Sequence, residues 1–148
     1  MSFNSPNHTY TVSLRLSSAS TDFGALIPAI SEYNTVYYKK GSSRFKDGTF
    51  KASANVLCVN DIFSCNVLDD FMEENSSTAS LIEKLASLMK SLSVINTSDL
   101  RREFYISGTI ESDQFGFGIS CDLIFLLAEH KYSLSFSGIS FSGFEEVN

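Results

Sequence analysis

Tryptophan is absent from this chain of 148 residues, and proline and histidine occur twice each. So little proline, with no low-complexity tract, excludes a proline-rich linker or a disordered class. Long apolar runs are missing as well. The longest, "LIFLLA" at 123–128, has six residues, against roughly 20 for a bilayer span. No membrane association is expected. Cysteine is scarce and odd in number: Cys58, Cys65 and Cys121. Six residues separate the first two, unlike the tight pairs of zinc sites, and only two histidines are present to complete a ligand set. The cysteines therefore read as free thiols in a reducing compartment, with no metal and no cofactor. "MSFNSPNHTY" has no basic stretch leading into an apolar one, so no secretory signal is expected and the cytoplasm is favoured.

Hydrophobic residues make up 43% of the chain, and thirteen are Phe. That is enough for one domain over 1–148 with a core expected to be aromatic, and 1–8 as a loose N-terminal segment. A net charge of −6 and a pI near 4.8 argue against a nucleic-acid binder, whose affinity comes from neutralised phosphates. They favour a basic protein partner.

"TYTVSLRLS" (9–17) alternates with Tyr10, Val12, Leu14 and Leu16 on one face, the period of a half-buried strand. "STDFGALIPAISEY" (20–33) switches to helical spacing, with Thr21 or Asp22 as candidate caps. Pro28 predicts a helix that is short, kinked or late to begin. "NTVYYKK" (34–40) and "TFKASANVLCVN" (49–60) read as strands around a turn-rich segment. Across 66–92 two apolar stripes flank "NSSTAS", and Ser80 with Glu83 resembles a capping box. Two helices with a break near 75–79 are preferred to one. "REFYISGTIES" (102–112) is a strand in which Gly108 suggests a bulge or a close approach. "SCDLIFLLAEH" (120–130) is a short helix and "YSLSFSGISF" (132–141) a closing strand.

Both ends of the chain thus show a strand, a helix and a strand. Strands with one polar face imply a sheet covered on one side. The expected class is α+β: a mostly antiparallel sheet, helices on one face, and two strand–helix–strand halves.

Three groups of residues invite chemistry. Asp69, Asp70, Glu73 and Glu74 share one helix face, which suits docking to a basic partner better than metal binding or acid–base work. Residues 36–51 hold five of the eleven basic side chains, a local +4 that leaves the rest of the chain at −10. Within that window Tyr37, Tyr38, Lys39, Lys40, Arg44 and Lys46 form a hairpin with a secondary contact role. Its glycines lack phosphate-loop spacing. Cys121 opens a helix, but His130 would lie about 13 Å away at its far end, so no local base serves that thiol and no catalytic residue is expected.

The succession "YTVSLRLSS", "DFGALIPAI", "YYKKGSSR", "LIEKLASLMKSL" and "GISCDLIFLLAEHKYSLSFSG" resembles a bacterial family of small domains of unknown function. The resemblance covers nearly the whole chain, and the lysine-lysine-glycine turn is its most distinctive part. It implies a small α+β architecture. Some similar small acidic bacterial proteins are immunity proteins that bind and neutralise a toxin. The expectation is therefore a non-enzymatic immunity-type inhibitor of a cognate bacterial toxin domain, a nuclease being favoured by the acidity. The alternative is a ligand-sensing or regulatory domain that binds an anionic metabolite.

Overall fold

The computed structural model describes residues 9–43, 48, 51–65, 76–110 and 120–140. Among these residues five strands are formed: β1 (Thr9–Ser18), β2 (Asn34–Tyr38), β3 (Asn55–Cys65), β4 (Arg101–Ile110) and β5 (Ser133–Ser140). A 3₁₀ helix (Gly24–Ile30) separates β1 from β2. Helix α1 (Ser76–Leu92) precedes β4, and α2 (Cys121–Glu129) precedes β5. The expected N-terminal segment 1–8 lies outside the described residues.

The strands form one sheet in the order β2-β3-β1-β4-β5. The class is α+β, but the sheet is mixed rather than mostly antiparallel. Ladders β2–β3, β3–β1 and β1–β4 are antiparallel, while β4–β5 is parallel because α2 carries the chain back to the start of the sheet. The two strand–helix–strand units are not equivalent. β4 and β5 are neighbours, whereas β3 pairs between β1 and β2. A parallel step needs a crossover element, and the first unit uses its 3₁₀ helix for this while making room for an inserted strand.

Alternation then decides the layers. Tyr10, Val12, Leu14 and Leu16 of β1 are at most 1% exposed, and Leu57 and Val59 of β3 and Phe104 and Ile106 of β4 are completely buried. The helices bury Leu26 and Ile30, Leu81, Leu85, Leu88 and Met89, and Leu123, Leu126 and Leu127 into the same cluster. They cover one face of the sheet; among the described residues no helix covers the other. Among the described residues leucine dominates the core. Among the described residues only Phe23 and Phe104 are buried phenylalanines, and Phe125 is 72% exposed.

Local chemistry explains the element ends. Pro28 sits inside the Gly24–Ile30 helix, which is tight and short because proline cannot continue an α-helical ladder. Helix α1 is already under way at Ser76, so Ser80 and Glu83 lie inside it and are not a capping box. Ser120 caps α2 by accepting from the Leu123 N–H. At the other end Tyr132 N–H donates to Leu127 O (2.8 Å) and Lys131 N–H to Ala128 O (3.2 Å). Lys131 has φ +62°, so this is a Schellman closure with lysine where glycine is usual.

The sheet irregularity lies at Asp61 and not at Gly108. Gly108 continues both ladders in register, opposite Tyr10 and Gly138. In the β1–β3 ladder Val12 faces Phe63 while Leu14 faces Val59, so β3 carries two extra residues there, and Asp61 has φ +53°. The two extra residues leave Phe63 in phase with Leu57 and Val59, and the kink between them turns Ile62 into the core as well, at 1% exposure. The Lys84 ammonium of α1 donates to Ile62 O at 2.8 Å and lies 5.5 Å from the centre of the Tyr33 ring.

Candidate functional site: the open face of the sheet

Residues alternating with the core strand positions point to the uncovered side. Register places Arg15 opposite Cys58 on one strand and Glu103 on the other, and Ser17 opposite Val56 and Arg101. Next to these, Val36 pairs with Cys58 and Tyr38 with Val56, while Ser133 pairs with Glu103. The face is therefore rich in hydroxyls, with guanidiniums and two tyrosine rings. Thr11 and Ser107 share a hydrogen bond of 2.7 Å across β1–β4.

At the Ser17 end this face deepens into a cleft of about 710 Å³. Arg15, Ser17 and Glu103 form part of its floor. Tyr38 and the hairpin base at Lys51–Ala54 line it from β2 and β3, and Ala19, Asp99 and Arg101 line it from the other side. The volume falls in the ~300–1,000 Å³ range of small-molecule sites. A smaller hollow of about 260 Å³ shares Arg15 and Cys58 with it and extends along the face towards Asn60 and Tyr105.

The charges of the cleft are unevenly committed. Arg15 lies 5.6 Å from the centre of the Tyr105 ring rather than in an ion pair with Glu103, its cross-strand partner. Arg102 donates to Asn96 Oδ1 at 3.2 Å. Among the described residues, the single ion pair within 4.0 Å is Lys39–Asp22. Among the described residues, Arg15, Lys51, Arg101 and Glu103 thus line the cleft without an ion-pair partner within 4.0 Å.

Asp99 fixes one wall. Its carboxylate accepts from Ser18 Oγ (2.9 Å), Ser20 Oγ (2.9 Å), Thr97 Oγ1 (3.0 Å) and the N–H groups of Ala19 and Ser20 (3.1 Å each). Donors from Ser20 and Ser18 foremost hold the Asp99 carboxyl down at about 2, from an ordinary value of 3.8. This ties the end of β1 to the segment entering β4, so Ser17 and Arg101 keep their places. Sequence reading missed Asp99. Its one local signal is Thr97 two residues earlier, since Ser18 and Ser20 lie some eighty residues away.

The basic hairpin divides. Tyr37 pairs with Leu57 on the core side, its hydroxyl accepting from Phe23 N–H at 2.9 Å and donating to Asp22. Its ring meets Phe23 edge-on at 6.2 Å. The Tyr37 hydrogen bond, then the Gly24 N–H, lower the Asp22 carboxyl, while desolvation and Asp22 raise the Tyr37 phenol. Tyr37 therefore braces the 3₁₀ segment from the core side of the sheet, whereas Tyr38 lines the cleft. Lys39 lies 3.8 Å from Asp22 in an exposed pair. Lys40 is exposed, and its N–H donates to Asn55 Oδ1 at 2.7 Å. Gly41 N–H to Ala52 O (2.8 Å) and Ala52 N–H to Ser42 O (2.9 Å) close the base of a hairpin, with a further bridge at Ser43–Lys51. Gly41 (φ +86°) sits at that base, in the turn closed by Ser42 N–H to Lys39 O (3.0 Å). β3 itself begins at Asn55, later than predicted, and runs on to Cys65. Arg44, Lys46 and all four acids of the expected docking face, Asp69, Asp70, Glu73 and Glu74, lie outside the described residues.

Cys58 is half-buried on the open face, and Cys121 is exposed in the first turn of α2. His130 stands at the opposite end of that helix. Among the described residues no group of three or more His, Cys, Asp or Glu side chains is placed to hold a metal ion. No described helix is long and apolar enough to cross a membrane. No family model, curated protein or solved structure matches the chain.

Proposed function

We propose that this chain is a non-enzymatic binding protein that holds an anionic small molecule in the cleft on the open face of its sheet. The observation that carries the reading is the convergence of Arg15, Lys51 and Arg101 on one cleft without anionic partners among the described residues. The three side chains are exposed, and cations gathered along one concave surface raise the local concentration of an anion. The non-enzymatic part is supported by the spacing of the nucleophile candidates: Cys121 and His130 occupy opposite ends of α2, and Cys58 has Arg15 and Val36 as its cross-strand neighbours. A thermal-shift screen of anionic and neutral metabolites tests the reading. Anions should raise the unfolding temperature and neutral analogues should not; a flat response to every anion would remove it.

A second reading, an immunity-type inhibitor of a bacterial toxin, is favoured by a different observation. Asp69, Asp70, Glu73 and Glu74 put four carboxylates into six successive residues with no basic side chain among them. Such a local excess steers a basic partner, including a nuclease domain that presents cations to its substrate. Co-purification with a toxin domain encoded beside it should succeed, with affinity that falls as salt rises. Unchanged affinity after charge reversal of those four acids would count against the mechanism.

A further inference from the structure

We infer that the ligand of the open-face cleft is a phosphorylated sugar, either a sugar phosphate or a nucleotide; this rests on the anion-binding reading above and narrows it. Arg15 and Arg101 lie on adjacent strands in a diagonal relation, because Arg15 faces Glu103 and Arg101 is two residues from Glu103. Diagonal positions on one face are ~7–8 Å apart at the backbone, within reach of long side chains. Both arginines line the same cleft, the Arg15 guanidinium from beside the Tyr105 ring and Arg101 from the opposite diagonal, and Lys51 adds a third cation from the hairpin base. A carboxylate offers two oxygens and one charge. A phosphomonoester offers three terminal oxygens and up to two charges, which suits two forks and an ammonium.

Glu103 explains the rest of the ligand. A carboxylate on the floor of an anion site opposes the anion, yet Glu103 is half-buried there with no ion-pair partner among the described residues. An ionised carboxylate is an acceptor only, and a polyhydroxylated ring brings donors to it. The cleft, at about 710 Å³, is far larger than a bare oxyanion. Hydroxyls from Ser17 and Ser133 stand beside Glu103 to complete a polar floor.

Isothermal titration of the full chain with inorganic phosphate, ribose 5-phosphate, adenosine monophosphate, adenosine and citrate tests the inference. Ribose 5-phosphate or adenosine monophosphate should bind at least tenfold tighter than inorganic phosphate, and adenosine should not bind. Whichever of the two is tighter identifies the source. Arg15→Gln and Arg101→Gln should each weaken binding at least tenfold, with the distant Lys90→Gln as a neutral control. Glu103→Gln should tighten inorganic phosphate while reducing its difference from the sugar phosphate. Citrate binding without any phosphate ester would overturn the inference and leave the anion reading standing. Binding of no anion would overturn both. Phosphate esters that bind equally well to the two arginine variants would place the ligand elsewhere and overturn the assignment of the cleft.

Discussion

Replacing Lys84 by Met tests whether the helix layer sets the sheet irregularity beneath it. Lys84 reaches from α1 to Ile62 O at 2.8 Å, and its ammonium lies 5.5 Å from the Tyr33 ring centre. Methionine keeps most of the apolar stem but removes the donor and the charge. A hydrogen bond from a charged donor contributes about 1.5–3 kcal/mol, and an exposed cation–π contact about 0.5–1 kcal/mol. Lys84 is exposed, so water can replace part of both and the lower end applies. The expected loss is about 1.5 kcal/mol, or roughly 3–6 °C in Tm for a domain of this size. Urea unfolding followed by far-ultraviolet circular dichroism measures it, and the slope should stay constant because the surface exposed on unfolding is unchanged. In a double-mutant cycle, Tyr33→Leu should show coupling of about 0.5 kcal/mol with Lys84→Met. A loss below about 0.5 kcal/mol for Lys84→Met would refute the claim that this link braces the β3 insertion.

Other perturbations probe separate parts of the account. Leu85 is fully buried, so Leu85→Ala should cost about 2–5 kcal/mol, read by the same denaturant titration. Lys131→Gly should stabilise the chain by about 0.5–1 kcal/mol, since glycine suits the left-handed position that closes α2; a lower Tm would argue against that closure. Asp99 has a folded pKa of about 2, below its ordinary 3.8. Its contribution should be intact above about pH 4 and fade as pH falls towards 2, because the unfolded state binds the proton first. Thermal unfolding across that window should show a decline that is shallower in Asp99→Asn. Equal slopes would deny the carboxylate its anchoring role.

Much of the architecture is legible in the sequence because it is local. The strict alternation of β1 and the polar–apolar switching of β5 give both strands to within a residue or two, and "SCDLIFLLAEH" marks α2 through Ser120 and its apolar spacing. Pro28 correctly announces a short helix. β3 was harder to delimit because its two-residue insertion at Asp61 interrupts the alternation, with Ile62 in the core between Val59 and Phe63. Strand order was not legible either. It depends on pairings such as Leu16 with Leu57 and Leu14 with Phe104, set by the packing of distant segments.

The site was less legible than the fold. Arg15, Lys51 and Arg101 lie far apart in sequence, and the register of β1 with β4 and the hairpin base bring them to one cleft. The adjacent pair Tyr37 and Tyr38 reads as one aromatic-basic patch, yet successive strand residues point to opposite faces. One tyrosine braces the core side while the other faces the cleft. Asp99 gathers donors from two distant segments, and no spacing rule announces that.

The most direct test of the central claim is ¹H–¹⁵N chemical-shift mapping of the full chain titrated with the sugar phosphate or nucleotide that binds best. The account predicts saturable shifts concentrated at Ser17, Lys51, Ala52, Val56, Arg101 and Glu103, with α1 amides around Leu85 unmoved. Saturable shifts confined to residues outside the cleft, or none with any phosphate ester, would contradict it.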